Sequence, residues 1–195
     1  MKKHYFKTKE LVTIAILGCL GAVMSTYLGY IGQIIGTMTG IPYGSQVLTG
    51  LHVFWLVLIL AVVDKKGAGL LGACLSNIVQ FLMGSHIGIW VLPVGLLQGL
   101  LAEIGYWPLK GLNRTAAMML AGGLSAIAHI LIMQVVVMRI NSAVIVLSLG
   151  GIAFASGVGW GGLLTPFVVS LLRKIGLVRR SGAAVSLEEG PLAAK

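Results

Sequence analysis

Between Glu10 and Asp64 the sequence runs through 53 residues without a charged side chain, and between Lys66 and Glu103 through another 36. Two more gaps follow, 24 residues from Arg114 to Arg139 and 33 from Arg139 to Arg173. A helix that crosses the hydrocarbon of a bilayer needs about 20 apolar residues, within a range of about 17–25. The first gap is therefore long enough for two spans and a connection. The stretch 67–109 holds two more, and each remaining gap holds one. Only 10% of the residues are charged, against roughly 25% in a soluble domain, and the mean hydropathy is +0.99. The expected fold is all-α, a membrane domain of residues 1–180 with six transmembrane helices. The expected spans are 10–31, 48–63, 67–84, 88–109, 115–138 and 146–172.

Glycine, at 28 of 195 residues, is about twice its usual ~7%. Without Gly-X-Y periodicity, that suits helices packed closely in lipid. Residues 32–47 carry Gly, Pro42 and no charge, and are expected to form a long external or re-entrant loop. Residues 181–195 are expected to be a disordered cytoplasmic tail. The basic residues set the orientation. With the N-terminus inside, thirteen of the fourteen Lys and Arg residues are cytoplasmic and only Arg139 is external. Both termini are thus expected in the cytoplasm, with the chain a multi-pass protein of the cell membrane. Met1-Lys2-Lys3 before an apolar run has the look of a signal peptide, but no polar region follows, so the first span is read as retained. The formal charge of +9 is then accounted for by contact with anionic lipid at the inner leaflet, and no nucleic-acid partner is expected.

Chemistry is sparse. Cys19 and Cys74 are the only cysteines and sit in expected helices, so neither a disulfide nor a thiolate metal site is indicated. No H-E-x-x-H, G-x-S-x-G or nucleotide-binding G-x-x-x-x-G-K-[ST] string occurs. Glu103 is the sole carboxylate at membrane depth, a buried acid of uncertain role. Catalysis needs paired acid, base or nucleophile groups, so there are no catalytic residues to name, and neither a cofactor nor a metal is expected. Any energy for uphill transport must come from a partner.

Polar groups inside a bilayer are costly and mark functional candidates. Several fall in the outer half: His52 on the second helix, Asn77 and Gln80 on one face of the third, Trp90 and Gln98 on the fourth, and His129 on the fifth. His86 lies in the tight turn after the third helix and Tyr43 in the long loop above. Together they suggest a small polar or heteroaromatic ligand gripped by amides and stacked on rings. On the first helix, Ala15, Gly18, Cys19 and Ala22 are spaced i, i+3, i+4 and i+7. That small stripe admits another helix, within the protein or from a partner subunit.

The region from Lys66-Gly-Ala-Gly-Leu-Leu to Gly84-Ser85, with Gly95-Leu-Leu-Gln-Gly-Leu-Leu-Ala-Glu103, resembles the YkoE-like substrate-binding (S) components of energy-coupling-factor (ECF) transporters. The resemblance is densest from Gly50 to Tyr106. It implies a six-helix subunit that captures a vitamin from outside, with thiamin or its hydroxymethylpyrimidine precursor the associated ligands. It also implies an ECF transmembrane coupling subunit and two ATPase subunits as partners. The first-helix stripe would then dock the coupling subunit. Where YkoE-like proteins carry an acid on the third helix, this chain has Gln80. A cationic thiamin would have to rely on Trp90, Trp55 or Tyr43 for cation–π contact, worth ~2 kcal/mol when desolvated. That departure favours a neutral aminopyrimidine or a different heteroaromatic vitamin. Two other readings compete: an assembly subunit that binds no small molecule, and a carrier driven by protons through Glu103 or His129, which lacks an evident internal repeat.

Overall fold

The computed structural model describes residues 5–39, 44–135, 142–174 and 176, and every regular element within them is helical. Helix α1 is Thr8–Thr39, α2 Gly44–Val63 and α3 Ala68–Leu82. A single 3-10 turn, Gly88–Trp90, leads into α4, Val91–Lys110, and α5 is Arg114–Met133. Helix α6, Ala143–Ser156, runs through a π-helical stretch, Gly157–Leu163, into α7, Leu164–Lys174. These last three pieces form one rod, so the described residues make six rods. Five of them are long and apolar enough to cross a membrane. The exception is α3, whose 15 residues reach about 22 Å at 1.5 Å per residue. The hydrocarbon core is about 30 Å thick, so α3 alone is shorter than a full crossing.

Helix α2 lies in the middle and touches every other rod. Its sequence explains why: from Leu56 to Ala61 it is apolar on all sides and every residue is buried, as a helix must be when no face meets a polar surface. Val53, Val57, Leu60 and Ala61 pack with Ala102 and Tyr106 of α4, Ala117, Ala121 and Ala126 of α5, and Leu149 and Ala153 of α6. Small residues let these backbones come close. A Cβ on Gly122 of α5 would strike the carbonyl of Gly157, and one on Gly157 would strike that of Gly122. The π-helical stretch therefore lies directly on α5, and only glycine fits at either position.

Residues 32–47 depart from the loop expected of them. Helix α1 continues to Thr39, and α2 is already helical from Gly44. Glycine is a weak helix breaker, and Gly29, Gly32 and Gly36, at i, i+3 and i+7, share one inward face. Tertiary packing of that face keeps the helix going up to the neighbourhood of Pro42. Residues 40–43 and 136–141, with Tyr43 and Arg139 among them, and the expected tail 181–195 lie outside the described residues.

The described charges gather at one end of the bundle. Lys65 bonds Glu10 at 2.7 Å, Lys110 bonds Asp64 at 2.6 Å, and Arg114 reaches the carbonyl of Ala61 at 2.6 Å. These contacts join the start of α1, the α2–α3 turn and the α4–α5 turn. Asn113 caps α5 by accepting from the Ala116 N–H at 3.1 Å. Glu103 belongs to the same end. Its carboxylate accepts from the N–H groups of Gly67 (2.9 Å), Gly69 (3.0 Å) and Leu70 (3.2 Å). A helix begins with N–H groups that lack an intrahelical partner and carry partial positive charge. Gly67 has no side chain to satisfy them, and its own φ is +84°. The acid on α4 does so instead, which fastens α4 to α3.

Candidate functional site

At the opposite end, where the described residues carry no Asp, Glu, Lys or Arg, a cavity of about 720 Å³ opens between α1, α2, α3, the turn before α4, the start of α4, and α5. Its size lies within the ~300–1,000 Å³ common for small-molecule sites. Five of the eight residues singled out from the sequence as ligand contacts line it: His52, Asn77, Gln80, His86 and His129. Gln98 stands one layer behind. Its side chain is fully buried and its Oε1 lies 3.2 Å from His52 Nε2, so it orients an imidazole of the wall without lining the cavity. Trp90 is not brought to the site. It is 46% exposed at the 3-10 turn, where an aromatic ring suits a membrane interface. Trp55 packs edge-on against Phe54 and beside Gly21, away from the lining. No Trp, Tyr or Phe lines the cavity among the described residues, so its flat surfaces are imidazoles.

The wall contributed by α1 was not foreseen. Ser25, Gly29, Gly32, Gln33, Gly36 and Thr37 face the cavity, joined by Gln46 and Thr49 from the first turns of α2. A signal for it exists in the sequence, because Gly18, Ala22, Ser25, Gly29, Gly32 and Gly36 repeat at intervals of four and three. The proposed docking stripe is the lower part of this same inward face. Ala22 is fully buried, and a Cβ on Gly18 would lie 3.6 Å from α3 at Gly72 and Leu75. Those two residues are therefore used in packing within the chain. Ala15 is half-buried, and Cys19 is exposed on the outer side.

The end of α1 is held down over the cavity. Tyr30 donates to the Gly84 carbonyl at 2.5 Å, and Gly29 lies so close to the His86 ring that a Cβ there would collide with it. Gly84 itself has φ +80° at the end of α3, a conformation that glycine adopts without strain.

The lining is mainly apolar, its polar groups are neutral hydrogen-bonding ones, and no Asp, Glu, Lys or Arg is among the described lining residues. Partial desolvation pushes the His86 imidazole below its ordinary pKa. Three lining groups, Ser25 Oγ, Asn77 Oδ1 and His129 Nδ1, are buried without a hydrogen-bond partner among the described residues. Each such group costs about 1–3 kcal/mol if left unmade, and a polar ligand would relieve that cost. Among the described residues no group of three or more His, Cys, Asp and Glu side chains is placed to hold a metal ion.

Comparison with known proteins agrees with this arrangement. The family described as "ABC-type cobalt transport system, permease component" matches residues 9–128. YkoE of Bacillus subtilis (strain 168), whose name describes an HMP/thiamine permease, is 28% identical over 98 residues, which are 50% of this chain and 49% of YkoE. The matched stretch thus spans about half of that relative's length. A crystal structure described as that of an S-component of an ECF transporter superposes with a TM-score of 0.80 at 26% identity, over 88% of each chain. This multi-pass membrane chain belongs to the ABC-type cobalt transport permease family and is a non-enzymatic S component of the ECF type, similar to YkoE.

Proposed function

We propose that the chain captures a small, neutral heteroaromatic vitamin from the external side of the cell membrane for an ATP-driven importer. Hydroxymethylpyrimidine is the foremost candidate and thiamin the second. The observation that carries this reading is the cavity itself. It is large enough for such a ligand and has unpartnered neutral donors and acceptors in its wall, with no carboxylate to neutralise a cation. The described acids are engaged elsewhere: Glu10 with Lys65, Asp64 with Lys110, and Glu103 with the start of α3. The permease name of YkoE points to the same ligand class.

The crowding of the described charges at the opposite end of the bundle supports an external placement, since basic residues favour the cytoplasmic side. The energy would be supplied by an ECF coupling subunit and two ATPase subunits. The outer face of α1, where Ile16, Cys19, Leu20 and Val23 are exposed, is the proposed contact with the coupling subunit. Engagement of Glu103 by three backbone N–H groups weighs against its use as a proton carrier.

Mass spectrometry of the small molecules released when protein purified from membranes is denatured tests the proposal. The expected result is a near-stoichiometric neutral aminopyrimidine. A permanently cationic compound would argue for thiamin and against the neutral cavity.

A further inference from the structure

Asn77 of α3 is 1% exposed and lines the cavity. Its Nδ2 donates to the Ala73 carbonyl one turn earlier, at 2.7 Å. A carbonyl can only accept, so this bond fixes which end of the amide is nitrogen and leaves Oδ1 as the end without a partner among the described residues. The amide is also backed by α4: a Cβ on Gly95 would fall on Asn77 Nδ2 and Cγ. With nitrogen tied to α3 and the plane pressed against Gly95, the group has no low-cost way to exchange its two ends. Gln80, one turn further on the same face, is less constrained, because its Nε2 lies 3.4 Å from Ser76 Oγ. That long contact leaves its amide able to turn.

Resting on the reading above, we infer that Asn77 is a specificity-determining residue: its fixed Oδ1 requires an N–H donor on the ligand and so selects an amino-substituted heteroaromatic ring over the deaminated, oxo form. An amino group placed against Oδ1 completes the one unfilled polar atom of Asn77. An oxo group in the same place sets two acceptors against each other and leaves both without a hydrogen. Sites built around a hydrogen bond reject ligands that lack it far more strongly than apolar pockets reject a missing methylene. For a single neutral pair the expected preference is on the order of 100-fold.

Equilibrium binding of hydroxymethylpyrimidine and of its deaminated oxo counterpart to the purified full chain in nanodiscs tests the inference. The wild type is expected to prefer the amino compound by on the order of 100-fold. Asn77→Leu should lower that ratio to within a few-fold, whereas Gln80→Leu should weaken both ligands and keep it. Gly95→Ala, which displaces the amide without removing it, is expected to erode the ratio as well and serves if Asn77→Leu does not fold. Wild-type protein that binds both compounds equally overturns the assignment, as does an Asn77→Leu variant that retains the full preference. A ratio lost in Gln80→Leu and kept in Asn77→Leu transfers the role to Gln80. Wild-type protein that binds neither pyrimidine fails the capture reading itself, and the inference falls with it.

Discussion

Gly29→Leu is expected to abolish ligand binding while the bundle remains folded and inserted. Gly29 lies on the inward face of α1, on the cavity wall, with the His86 ring directly against it. The group that a new Cβ would meet is a side chain in the turn between α3 and α4, which can swing aside without moving a helix. The remaining leucine atoms would then occupy space inside the cavity. Leucine has a better helix propensity than glycine by roughly 0.7 kcal/mol or more, so α1 itself gains. The variant should show a loss in affinity for hydroxymethylpyrimidine of at least ~100-fold, with a thermal unfolding midpoint in detergent close to that of the wild type. Binding preserved in a folded Gly29→Leu protein would mean that the ligand sits elsewhere.

The second large effect is expected at the other end of the bundle and on stability. Glu103→Ala removes the acceptor for three N–H groups at once, at Gly67, Gly69 and Leu70. Hydrogen bonds to a charged group contribute about 1.5–3 kcal/mol, and donors left unsatisfied add their own cost. Water at the membrane boundary recovers part of this, so a net loss of about 3 kcal/mol is expected. Glu103→Gln should lose less, since one oxygen can still accept. Unfolding midpoints of the two variants and the wild type should therefore fall in the order wild type, Gln, Ala. An Ala variant as stable as the wild type would show that α3 begins without help from α4. Uptake abolished at unchanged stability would restore a coupling role for the acid.

The six rods were legible because charge marks the ends of membrane helices more sharply than propensity marks those of soluble ones. Asp64-Lys65-Lys66 and Lys110 to Arg114 stand at turns, as their spacing implied. What the charge pattern could not convey was the behaviour of uncharged segments. Residues 32–39 have the glycine content of a loop, yet they form a helix because their glycines lie on one face and that face is used. Spacing along one helix placed Asn77 and Gln80 together correctly, and depth alone brought His52 and His129 to the same level. Depth does not say which way a residue points, however. Trp90 sits at the right height and faces outward, and Gln98 sits at the right height one layer too deep. The role of Glu103 was hidden for a different reason. Its partners are backbone N–H groups of another helix, 33 to 36 residues away in sequence, and backbone donors leave no mark in a sequence.

The most direct measurement is calorimetric titration of the purified wild-type chain, without its partners, with hydroxymethylpyrimidine and with thiamin. A capture subunit whose neutral cavity is the binding site should bind hydroxymethylpyrimidine one to one. It should also bind it tighter than thiamin by about 10-fold or more, since no carboxylate offsets the desolvation of the thiazolium charge. Thiamin binding more tightly than hydroxymethylpyrimidine, or neither compound producing a saturable signal, would contradict the neutral-ligand capture site.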